Sequence, residues 1–146
     1  MDPSPKSRKP SATKPPESGY VFFIDASMGR ALGQRFKDEG LSVELHNDHF
    51  AQGTLDTAWL PVVGHQGWIV LTKDTRIRHR PKEKQALLGA GVRAFVFTSG
   101  SLSGSQMADA IVKALPKMMA LLAVHQHAFV ARITATSDVA ILLEES

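Results

Sequence analysis

Two short apolar runs that each lead into an aspartate constrain this chain more than any other feature. Tyr20-Val21-Phe22-Phe23-Ile24 enters Asp25, and Trp68-Ile69-Val70-Leu71-Thr72 passes through Lys73 into Asp74. Unbroken apolar runs of this length are the pattern of strands buried on both faces, as in parallel sheets. In open α/β sheets, ligands bind outside the carboxyl ends of the strands. Asp25 and Asp74 are therefore expected to be neighbours at the tips of two such strands.

The segments around these runs alternate in type. A helix is expected over 27–39, where Met28, Leu32 and Phe36 recur every fourth residue and Gly40 supplies the stop. A strand over 42–46 follows, then a polar loop over 47–53. Thr54 or Asp56 can cap a second helix ending near Val63 or His65. Pro61 removes a backbone donor there, which predicts a helix that is short, bent or late in starting. Gly64 and Gly67 turn the chain into the strand at 68–72. Pro81 suits the first turn of a third helix, closed by Gly89 and Gly91. A strand at 93–98 and a Gly/Ser-rich loop lead to a long helix, 105–124, with a kink expected at Pro116. Two last strands, 129–134 and 139–143, flank a turn at Thr136-Ser137-Asp138. The order predicts an α/β fold of three layers: a mostly parallel central sheet, helices on both faces, and a C-terminal β-hairpin.

A chain of 146 residues is expected to form one domain. Residues 1–18 hold five of the eight prolines, which predicts a disordered tail before a domain at 19–146. The chain has no cysteine, which excludes a thiol nucleophile and fits a reducing compartment. With no apolar run long enough for a membrane span and no secretory pattern at the start, a cytoplasmic protein is expected. A net charge of +3 is compatible with nucleic-acid binding.

Two carboxylates at adjacent strand tips repel unless a cation lies between them, and hard cations such as Mg²⁺ or Mn²⁺ prefer carboxylate oxygen. Asp48 and Asp56 follow the second strand and are candidate further acids at the same edge. Each also has a plain alternative, as a loop residue or a helix cap. His46-x-x-His49 is too short and too loop-bound to specify zinc. From Lys73 to Lys84 there are six basic residues against two acids. Arg76, Arg78 and Arg80 alternate, so an extended segment presents them on one side to phosphates. Lys73 joins them at the acidic edge. Ser27, Thr98 and Ser99 offer hydroxyls to a phosphate oxygen or a bound water, or serve as turn formers.

Four blocks in this order carry a family resemblance: Phe23-Ile24-Asp25-Ala26-Ser27, Leu45-His46-Asn47-Asp48-His49-Phe50, Thr54-Leu55-Asp56-Thr57-Ala58-Trp59-Leu60, and Gly67 through Asp74. Together they resemble the PIN-like domain family. The run from Thr72-Lys73-Asp74 to Ile77-Arg78-His79-Arg80-Pro81 is similar to its VapC-type branch, and the likeness spans about 20–143. The resemblance implies a Mg²⁺- or Mn²⁺-dependent endoribonuclease that is the toxin of a toxin–antitoxin pair. RNA would be its substrate and a small antitoxin protein its partner, with a homodimer permitted. It puts the metal-binding and catalytic acids at Asp25, Asp56 and Asp74, with Asp48 as a further ligand of this branch. The chain departs from the family after the fourth strand, where Thr98-Ser99-Gly100 stands in place of a further acid and only Asp109 is near. That departure keeps open an inactive, RNA- or protein-binding relative. A phosphatase of the haloacid dehalogenase kind, with Asp25 as nucleophile, would want a second Asp where Ser27 stands.

Overall fold

The computed structural model describes residues 19–74, 80–98 and 101–144. The expected tail and the candidates Arg76, Arg78 and Ser99 lie outside them. The strands are β1 (Val21–Ile24), β2 (Ser42–Leu45), β3 (Ile69–Thr72), β4 (Arg93–Phe97), β5 (Phe129–Ile133) and β6 (Val139–Glu144). They form one sheet in the order β2-β1-β3-β4-β5-β6. The first five strands run parallel, and β6 returns antiparallel to β5 as the expected hairpin.

Side chains alternate across each strand, and here both faces are apolar. Phe22, Ile24, Ile69, Leu71, Phe95, Phe97, Phe129 and Ile133 face one layer. It is built by α1 (Arg30–Asp38) and α5 (Gly104–Val124), through Leu32, Phe36, Met107, Ile111, Met118 and Leu122. Phe23, Val70, Ala94, Val96 and Val130 face the other layer. That one is built by α3 (Asp56–Gln66) and α4 (Pro81–Gly89), through Trp59, Leu60, Val63 and Leu87. These side chains are almost fully buried, and each large one contributes about 1.5–3 kcal/mol from removal of its apolar surface from water.

Three local expectations are corrected. The first helix begins at Arg30, after a separate 3₁₀ turn (Ala26–Met28) and Gly29 at φ 81°. The loop expected after β2 instead opens with a one-turn helix, α2 (His46–His49), whose run His-Asn-Asp-His has no apolar period to reveal it. Of the outcomes expected from Pro61, a late start and a short helix do not occur: α3 starts at Asp56 and extends over 11 residues. Pro61 and Thr57, whose carbonyl loses its i+4 donor, are both exposed, so water can satisfy that carbonyl. The long helix α5 carries Pro116 inside its 21 residues. Its start is fixed by a capping box: the Gln106 amide N–H donates to Ser103 Oγ, and Ser103 N–H to Gln106 Oε1.

Candidate functional site

β1 and β3 pair in register, Ile24 opposite Leu71, so both chains leave the sheet at the same edge. One more bond continues the ladder: Asp25 N–H donates to the Leu71 carbonyl at 2.9 Å. The backbone of Asp25 is thereby tied to β3. Its carboxylate is held as well. Oδ2 accepts the Ser27 hydroxyl at 2.6 Å and the Thr72 hydroxyl at 2.9 Å. Thr72 is 1% exposed, and its Oγ1 also accepts the Asp74 N–H at 3.0 Å. Because a threonine hydroxyl has one proton, the roles are fixed: it donates to Asp25 and accepts from Asp74. A single buried hydroxyl thus links the two aspartates expected to be neighbours. No side-chain capping bond is made by Asp25 to the turn that follows it. With Oδ2 engaged twice, Oδ1 is the oxygen left without a partner among the described residues.

The other candidates divide. Asp56 is the first residue of α3, whose N-terminus lies at the same edge because the helix returns the chain to the start of β3. Trp59 Nε1–H donates to its Oδ1 at 3.0 Å. Asp48 lies in α2, with Arg30 Nη2 at 3.9 Å from its Oδ1. Lys73 is exposed, its N–H reaching Ser27 Oγ at 3.5 Å. Arg80 is exposed beside Pro81 at the start of α4. Thr98 N–H donates to the Ile133 carbonyl at 3.1 Å, which ties its backbone to β5. Asp109 is held by Arg35 Nη1 at 2.7 Å, an ion pair between α5 and α1.

The two histidines do not converge on one ligand. His46 is 4% exposed and packs against Phe23, Phe50 and Trp59 at ring separations of 5.8, 5.5 and 5.5 Å. His49 Nε2 meets Glu44 Oε1 at 2.6 Å. A crevice opens beside Asp25, between the tips of β1 and β2, with Gly29, Arg30, Leu45, His46 and Asn47 among its walls. Arg30 and Asn47 were not singled out by the sequence. Thr72 was quoted only within a motif, although a hydroxyl two residues before an acid at a strand end is a signal for a carboxylate support.

The acids at this edge are hard oxygen donors, which suits Mg²⁺ or Mn²⁺ in kind. Among the described residues, however, no group of three or more His, Cys, Asp or Glu is placed to hold a metal ion. The fit therefore rests on Asp25 and Asp74, with further acids required to approach them.

The sequence model described as "PIN like domain" matches residues 20–99, more than half of the chain. Over 99 residues the chain is 28% identical to a Mycobacterium tuberculosis protein named "Putative ribonuclease VapC45". That match covers 64% of this chain and 72% of the relative. No solved structure matches the chain significantly.

Proposed function

The chain belongs to the PIN-like domain family, and on that premise we propose that it is a divalent-metal-dependent endoribonuclease, the toxin of a toxin–antitoxin pair. The observation that carries this reading is the Asp25–Thr72–Asp74 link at the tips of β1 and β3. Support also comes from the name of the mycobacterial relative and from the likeness of the Thr72–Pro81 block to the VapC-type branch. A small antitoxin protein is the proposed partner and the cytoplasm the proposed compartment. Among the described residues no helix is long and apolar enough to cross a membrane.

Asp25, Asp56 and Asp74, with Asp48, are the residues proposed to hold Mg²⁺ or Mn²⁺. When bound, the ion would lower the pKa of a water and offset charge building on the phosphate. The chain's own groups do the rest. Ser27 and Thr72 aim the Asp25 carboxylate by occupying Oδ2. Trp59 fixes the rotamer of Asp56. Lys73 and Arg80, with Arg76 and Arg78, neutralise the RNA backbone, and the Thr98 and Ser99 hydroxyls are offered to phosphate oxygens. The products would carry 5′-phosphate and 3′-hydroxyl ends.

Purified protein should cleave RNA with Mg²⁺, stop in chelator, and be silent as Asp25→Asn. Cleavage that survives both changes sinks the proposal. A non-catalytic RNA- or protein-binding module is the second reading, favoured by the lack of a third acid beside Asp25 and Asp74 among the described residues. RNA binding with no cleavage at any Mg²⁺ or Mn²⁺ concentration would select it.

A further inference from the structure

We propose that Phe23, His46 and Trp59 form a template of three mutually packed rings that sets the spacing of Asp25, Asp48 and Asp56, with His46 as the positioning residue that joins the other two. This inference rests on the metal-dependent reading of those acids and extends it to a residue that acts through its neighbours.

The three rings come from three elements. Phe23 is in β1, His46 opens α2, and Trp59 lies one turn into α3. All three are almost fully buried. Each pair is in contact, with ring centres 5.8 Å apart for Phe23 and His46, 5.3 Å for Phe23 and Trp59, and 5.5 Å for His46 and Trp59. Aromatic rings attract at about 4.5–7 Å, best when offset or edge to face, and His46 meets Trp59 at 89°. The triangle is closed, so no ring can shift without disturbing two contacts.

An acid stands beside each ring in the chain. Asp25 follows Phe23 by two residues, Asp48 follows His46 by two, and Asp56 precedes Trp59 by three. In the last case the link is a bond, from Trp59 Nε1–H to Asp56 Oδ1 at 3.0 Å. For Asp48 the link is the helix that carries it. A single helical turn has no stability of its own. Here the turn is closed by the Phe50 N–H on the His46 carbonyl at 2.9 Å, and His46 is the buried residue among the four. Its ring therefore fixes where α2, and Asp48 with it, stands against β1.

Such a template has a task at this edge. Carboxylates gathered together repel when no cation lies among them, which pushes the elements that carry them apart. Ring packing is uncharged and limits how far β1, α2 and α3 can part. The imidazole contributes as a ring more than as a hydrogen-bonding group. Its Nδ1 lies 3.3 Å from Asn47 Oδ1, long for a hydrogen bond, while the ring meets Phe50 at 5.5 Å in addition to Phe23 and Trp59. His46→Phe would then preserve the template, and His46→Leu would not.

The test uses the full chain and Mn²⁺ alone, titrated calorimetrically without RNA. His46→Leu should weaken Mn²⁺ binding about tenfold or more, the order expected when the support of a metal ligand is lost, and His46→Phe should stay near the parent. Val92→Ala thins the same layer without removing a ring. It should lower the melting midpoint and leave Mn²⁺ affinity unchanged. In the absence of metal, hydrogen exchange of the Trp59 indole N–H should quicken in His46→Leu and stay slow in His46→Phe. Where His46→Leu does not fold, Trp59→Phe decides, since it keeps a ring and loses the donor to Asp56; its Mn²⁺ affinity should fall. Parent-like affinity in His46→Leu, or failing that in Trp59→Phe, overturns the template. So does a loss in His46→Phe or Val92→Ala as large as in His46→Leu. The two readings fail separately. A parent that binds no Mn²⁺ removes the metal-dependent nuclease, and the indole exchange still decides whether His46 holds Trp59 on Asp56. A parent that binds Mn²⁺ and cleaves RNA, with His46→Leu doing both equally well, removes the template alone.

Discussion

Thr72 gives its one hydroxyl proton to Asp25 and receives the Asp74 amide. Thr72→Val keeps the shape and removes both roles, taking the hydroxyl away from Asp25 and from the part-buried Asp74 N–H. The expected loss of stability is about 1–3 kcal/mol, read as a lower denaturant midpoint, with RNA cleavage falling about tenfold or more because Asp25 is no longer aimed. Thr72→Ser should restore both. If Thr72→Val melts and cleaves like the parent, the hydroxyl is a bystander. The spacing of Thr72 from Asp74 was legible, but its bond to Asp25 was not, because that partner is 47 residues away, a separation that no local pattern reports. The neighbourhood of Asp25 and Asp74 was legible, since two apolar runs ending in acids suffice to predict it. A second residue-scale effect lies in the turn between β5 and β6. The Thr136 hydroxyl, and then Lys117, hold the Asp138 carboxyl below the usual carboxylate range. A depressed folded-state pKa contributes stability that is present above the unfolded pKa and lost as pH falls through the folded one. Asp138→Asn should therefore lower the urea midpoint slightly at neutral pH and match the parent in strong acid. An equal difference at both pH values would deny the linkage.

At the scale of elements, the packing of α3 on α4 depends on a glycine. A Cβ at Gly64 would stand 2.2 Å from the Ala90 carbonyl oxygen, a contact with backbone that cannot swing aside. Gly64→Ala should destabilise by about 1–3 kcal/mol through overpacking. Gly89, at the end of α4, has nothing within 4 Å of its would-be Cβ, and Gly89→Ala should stabilise by about 0.4–1 kcal/mol by restricting the unfolded chain. Opposite signs in thermal melts confirm the packing, and two shifts of the same sign refute it. The sequence marked Gly64 as a turn into β3, yet it lies inside α3. Spacing alone does not distinguish a glycine that ends a helix from one that admits a neighbour. Helices with an apolar period were readable. The exceptions were α2, with no period, and the passage of α3 through Pro61, which depends on the exposure of that helix's outer side.

Across the whole molecule, a net charge of +3 and exposed cations near the acid edge would make the proposed RNA binding a matter of counterion release. In chelator, affinity for single-stranded RNA should fall with salt on a logarithmic plot by about 0.7 per neutralised phosphate, and Arg80→Ala should flatten the slope by about that amount. An unchanged slope would place Arg80 off the RNA path. The strand order also has a consequence in time. β1 lies between β2 and β3, and proteins are made from the amino end. A growing chain can pair β1 with β2 early, but Asp25 waits for the Leu71 carbonyl and the Thr72 hydroxyl. The α5 layer over Ile24 arrives later still. A ribosome-bound fragment that stops short of β3 therefore carries one acid of the pair and not the other, and under the ribonuclease proposal such an unfinished chain lacks a complete site.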